Sequence, residues 1–97
     1  MRIVALFDDA PEMMAHRAEH KQAHVDYIRA NQSEVLIGGG FREDEDGAFV
    51  GGMWVMEVST KERAKQLVEA DPYFHPQYRR YRLLLWGKVL ENETVVL

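Results

Sequence analysis

Every segment of this chain that alternates like a β-strand is apolar on both of its sides, yet only two segments carry the composition of helices. In residues 2–8, Ile3, Ala5 and Phe7 alternate with Val4 and Leu6. In residues 49–58, Met53 and Val55 alternate with Trp54, Met56 and Val58, and in residues 79–89 Leu83 and Leu85 alternate with Leu84 and Trp86. Such strands must be covered on both faces. A fourth, shorter strand is expected over Glu34–Ile37, ending at Gly38, Gly39 and Gly40. The Asp46-Gly47 pair that follows is a hairpin signal.

The first helix is expected from Pro11 to about Ala30, with Asp8 or Asp9 near its start and Pro11 in its opening turn. Helical spacing gathers Met14, Ala18, Val25 and Ile28 on one side, with Glu12, Glu19, Gln22 and Asp26 opposite. The second helix opens at a capping box, Ser59-Thr60-Lys61-Glu62, and aligns Ala64, Leu67, Val68 and Asp71. Pro72 ends it by disfavouring α geometry at Asp71.

The resulting order is β-α-β-β-α-β, an α+β ferredoxin-like arrangement with an antiparallel sheet. Two helices shield one face of a four-stranded sheet and leave the other bare. An uncovered apolar face of that size is unusual on a monomer, and a second copy is the simplest cover. The expectation is a homodimer, a dimeric α+β barrel.

At 97 residues the chain is read as one domain, 1–97, with residues 91–97 as a peripheral tail. Its 46% hydrophobic and 29% charged residues exclude disorder and low complexity. The absence of cysteine excludes disulfides, thiolate metal sites and a thiol nucleophile. A formal net charge of −4 argues against a nucleic-acid partner. The longest apolar run, Ile3 to Phe7, is too short for a signal core or a membrane span. No membrane partner is expected, and the expected location is the cytoplasm.

Three histidines, His16, His20 and His24, recur every four residues in the first helix. Two histidines at that spacing can share a metal, but Arg17 and Lys21 bring positive charge and no third ligand has motif spacing, so no metal is expected. The ordinary alternative is solvent-facing imidazoles, most plainly for His16. His24 lies beside the apolar stripe, and Asp71 shares the inward stripe of the second helix. A carboxylate aimed inward needs a partner, and imidazole with carboxylate is a base-and-orienter combination. Asp71 could equally cap the turn at Pro72-Tyr73-Phe74. Gly38 to Gly40 lack nucleotide-motif spacing; they read as a strand end with positive φ or a close approach to a ligand. Gly51-Gly52 reads as a bulge or a side-chain-free patch, and Arg79, Arg80 and Arg82 as a solvated strand face. Trp54 and Trp86 read as core or dimer residues.

Taken together, Arg17, Lys21-Gln-Ala-His24, Leu36-Ile-Gly-Gly39, Phe49-Val-Gly51 and Glu69-Ala-Asp71-Pro72-Tyr73 resemble the YciI-like (YCII-related) family over residues 2–90. The resemblance implies a homodimer with sheets packed face to face and one pocket per protomer. It implies an active-site pair at His24 and Asp71, in a family whose activities include dehydrochlorination of a chlorinated hydroxyquinol. Lys21 departs from the pattern where arginine is common, and Gly40 where proline is common. His75 and the 91–97 tail are additions.

The functional expectation is a cofactor-independent enzyme performing elimination, isomerisation or dehydrochlorination on a small cyclic or aromatic molecule. His24 is the general base and Asp71 its orienter. Arg17 or Lys21 stabilises a developing oxyanion, while Tyr73 and the Gly38-Gly39 backbone shape the pocket. The rival reading is a non-catalytic ligand-binding or sensing module on the same fold. A purely structural His24–Asp71 hydrogen bond is the plainest alternative.

Overall fold

A computed structural model describing residues 1–97 shows six elements: β1 (Arg2–Asp9), α1 (Met13–Ala30), β2 (Val35–Arg42), β3 (Phe49–Glu57), α2 (Lys61–Ala70) and β4 (Arg79–Leu85). They form one four-stranded sheet in the order β2-β3-β1-β4, every neighbouring pair antiparallel. The architecture is the expected α+β, ferredoxin-like one. No helix is long and apolar enough to cross a membrane.

Strand alternation decides which residues enter the core. Ile3, Ala5 and Phe7 of β1 pair with Met56, Trp54 and Gly52 of β3 and with Leu85, Leu83 and Tyr81 of β4. The buried members of this face close with Ala64, Leu67 and Val68 of α2 into the main apolar cluster. Burying each of those larger side chains contributes roughly 1.5–3 kcal/mol. Thr60 caps α2, its hydroxyl accepting from the Arg63 N–H at 3.0 Å. The cap thus falls one residue beyond the expected Ser59, and Asp71 adopts the extended backbone that a following proline imposes.

Helix α1 departs furthest from expectation. It begins at Met13 without a side-chain cap, because Asp9 remains in β1 and its carboxylate is engaged by arginines. Met14 and Ala18 face outward, whereas Val25 and Ile28 turn inward as expected; Met13 is buried, and His16, Arg17, His20, His24, Val25, Tyr27 and Ile28 are half-buried. Between Met13 and Val25 the inward stripe is therefore polar. Apolar contacts draw α2 onto β1 and β4, while α1 stands over β2 and β3 with a cavity beneath it.

Two strand boundaries also move. Strand β2 runs through Gly38–Gly40 instead of ending there, since each glycine finds a pairing partner on β3, and none has positive φ. Strand β4 stops at Leu85 rather than Val89 because its only neighbour, β1, begins at Arg2. The tail shows no strand, and Trp86 is exposed. The face of the sheet away from the helices carries Ile37, Phe41, Met53 and Leu84, each 37–43% exposed.

Candidate active site

The cavity between α1 and the β2–β3 half of the sheet has a volume of about 410 Å³. That is the range of small-molecule sites. Phe7, Trp54, Val25, Ile28, Val35 and Leu36 make its apolar walls. The polar side chains come from α1 and the turn after it, from the segment after α2 and from the start of β4.

His24 reaches inward from the middle of α1. Its Nδ1 lies 2.7 Å from Asp71 Oδ1, with the two side chains 19% and 1% exposed. An ionised carboxylate only accepts, so Nδ1 carries a proton, and in the neutral imidazole the lone pair is left on Nε2. The imidazole stacks flat on Tyr73, centroids 3.7 Å apart and planes 6° off parallel, which fixes the ring on a second side. Asp71 Oδ1 also accepts from the Tyr73 N–H at 3.1 Å. The two alternatives for Asp71, turn residue and imidazole partner, therefore coexist in one oxygen. Oδ2 is buried without a protein donor. Burial and the negative charge of Asp71 raise the pKa of Tyr27, whose hydroxyl stays protonated and donates to the Leu67 carbonyl at 2.7 Å.

Two guanidinium groups also lie over the Tyr73 ring. Arg17 Cζ sits 5.2 Å from the Tyr73 centroid and 4.4 Å from that of Phe49. Its Nη2 donates to the Gly51 carbonyl at 3.2 Å and reaches Asp9 Oδ2 at 3.4 Å, while Nε is buried without a partner. Arg79 donates twice to Asp9, at 2.8 and 2.9 Å, in a pair whose side chains are almost wholly buried. Arg79 and Asp9 were not legible as site residues from composition. The signal that could have found them is strand parity: Asp9 continues the inward series of Ile3, Ala5 and Phe7, and its register partner is Arg79.

Of the residues singled out in the sequence, His24, Arg17, Gly38, Gly39 and Tyr73 line the cavity, and Asp71 stands directly behind His24. Lys21 does not join them. It is exposed, because it is turned about 60° around the helix from His24 and its side chain leaves toward water. Arg79 corrects the solvated-cluster reading, whereas Arg80 and Arg82 are exposed as expected. His16 is not solvent-facing either: Nε2 lies 3.0 Å from the Pro72 carbonyl.

The glycines serve close packing. A Cβ at Gly38 would lie 2.8 Å from Trp54 Cδ1, and one at Gly40 would lie 2.5 Å from Phe49 Cδ1. The bare backbone of β2 thus makes room for the aromatic rings of β3 that wall the cavity and carry Arg17.

Residues 1–87 match the YCII-related domain. The chain belongs to the YCII-related family. A solved structure with the same fold is 5-chloro-2-hydroxyhydroquinone dehydrochlorinase (TftG) from Burkholderia phenoliruptrix AC1100, in complex with 2,5-dihydroxybenzoquinone. It aligns with a TM-score of 0.80 over 96% of this chain and 100% of that one, at 19% sequence identity. No curated protein matches the sequence significantly.

Proposed function

We propose that this YCII-related protein is an enzyme that moves protons on a small cyclic or aromatic substrate. The observation that carries the reading is the His24–Asp71 pair at 2.7 Å, with the imidazole lining a cavity and its Nε2 free of any protein partner. In the proposed step Nε2 removes a proton from a ring carbon or hydroxyl, and the freed electron pair enters the ring. The pair then captures a proton at another ring carbon, and where that carbon bears a leaving group such as chloride, loss of a second hydroxyl proton expels it, so no redox partner is required. Asp71 holds Nδ1–H and stabilises the imidazolium that forms, while Arg17 faces the oxygen that gains charge. Tyr73 and the Gly38-Gly39 backbone shape the space. The dehydrochlorinase named above, solved with a dihydroxybenzoquinone, supports this class of chemistry on this fold.

The same reading includes a homodimer, supported by the apolar sheet face left uncovered by the helices, and a cytoplasmic setting, consistent with a chain without cysteine.

The test is chloride release and absorbance change with 5-chloro-2-hydroxyhydroquinone, followed by related hydroxyquinols and small lactones. His24→Gln should lower turnover about 10²–10⁴-fold, the usual contribution of a positioned base. Turnover undiminished by His24→Gln discards the assignment.

A further inference from the structure

The cavity has a polarity that proton transfer alone does not explain. The charged residues lining it are Arg17, Arg29 and Arg79, all cationic. The nearby carboxylates, Asp9 and Asp71, stand behind the wall, held by the arginines and by His24. A recess whose lining charge has one sign concentrates ligands of the other.

The three cations differ in how free they are. Arg79 is committed to Asp9 by two hydrogen bonds, and Arg17 is held by Gly51 and, at longer range, by Asp9. Arg29 has only Asp26 Oδ1, at 3.9 Å across an exposed i,i+3 pair, so its guanidinium fork is available. Helical rise separates Arg29 from Arg17 by about 18 Å along the axis, with His24 between them. Val25, Ile28, Leu36 and Trp54 supply apolar wall along this length, and Gln32 adds an amide beside Arg29. The layout is a groove with a cation near each end, an apolar middle and one unpartnered imidazole nitrogen.

We propose that the cavity selects a ring bearing a carboxylate on a short arm, with the carboxylate held by Arg29 and Gln32 and the ring oxygen directed toward Arg17. This inference rests on the reading of the His24–Asp71 cavity as the substrate site and adds what the substrate must carry. The competing role for Arg29 is to offset the negative end of the α1 dipole, since it lies in the last turn. That role changes stability and leaves ligand choice alone.

Calorimetric titration of the full chain with 3-(4-hydroxyphenyl)propanoate and its uncharged amide, 3-(4-hydroxyphenyl)propanamide, separates the two roles. The wild type should bind the acid about tenfold more tightly than the amide, and Arg29→Gln should abolish that preference by weakening the acid alone. Equal binding of the two compounds by the wild type, binding of neither, or a preference unchanged in Arg29→Gln overturns the inference. A shift in urea midpoint without a change in preference assigns Arg29 to the dipole and overturns it equally. His24→Gln distinguishes this failure from that of the proton-transfer reading. It should keep the preference for the acid, so an unchanged preference with undiminished turnover removes the catalytic role alone.

Discussion

One oxygen of Asp71 accepts from both His24 and the Tyr73 amide, so the imidazole and the turn after α2 are located by the same atom. Tyr73 then stacks on His24 and lies near Arg17 and Arg79, which couples the base to the guanidinium pair through one ring. Asp9 underlies that pair, and its bond to Arg79 is the most enclosed ion pair in the molecule. Removing Arg79 leaves the buried Asp9 carboxylate only its longer contact to Arg17. Arg79→Ala should therefore destabilise the fold by about 3–5 kcal/mol in urea unfolding, and a loss under about 1 kcal/mol would show the pair to be better hydrated than its burial implies. His24 and Asp71 could be singled out from sequence because each sits at helical spacing beside apolar residues. Arg79 could not, since the run Arg79, Arg80, Arg82 reads as a basic surface until β1 supplies the register that turns Arg79 inward.

At the scale of elements, α1 explains why a cavity exists. Its inward positions hold three histidines and an arginine, so it cannot pack onto the sheet as α2 does, and the space beneath it stays open. Apolar spacing suggested Met14, Ala18, Val25 and Ile28 as the inward stripe; Val25 and Ile28 do turn inward, while His16, Arg17, His20 and His24 stand where Met14 and Ala18 were expected. On the sheet side, close backbone approach limits what β3 can carry. A Cβ at Gly52 would lie 2.5 Å from the Gly39 carbonyl oxygen, so Gly52→Ala must displace β2. It should cost about 1–3 kcal/mol and alter Trp54 fluorescence, whereas an unchanged unfolding midpoint would mean that β2 yields freely. Element ends are tied by carboxylates, half-buried at Glu34 and exposed at Glu57. The Arg63 guanidinium lowers the pKa of Glu34, and the N-terminal ammonium, followed by Arg2, lowers that of Glu57. A carboxylate whose folded pKa is depressed stabilises the fold above its unfolded pKa, near 4.3, and loses that contribution as pH falls through the folded value. Acid unfolding of Glu34→Gln should thus be shallower than that of the wild type below about pH 4.5, and superimposable curves would contradict the linkage.

For the whole molecule, the asymmetry of cover is the main consequence of the topology. Both helices lie on one side of the sheet, and Ile37, Phe41, Met53 and Leu84 remain partly exposed on the other. The proposed homodimer gives that face its cover. Light scattering should return twice the 11.3 kDa chain mass, and Met53→Glu should shift the particle toward a single chain by placing a charge in the apolar face. A wild-type particle of one chain's mass at micromolar concentration would remove the dimer from the reading.

The order of elements and their antiparallel sheet were legible in the sequence, because periodicity and the proline after Asp71 act locally. The pairing of His24 with Asp71 was implied by the family resemblance, since spacing alone left Asp71 equally a turn residue. The length of β2, the end of β4 and the placement of Arg79, Asp9 and Lys21 were decided only in three dimensions. Each depends on a neighbour distant in the chain: a strand continues while a partner offers hydrogen bonds, and a charge turns inward where an opposite charge already waits.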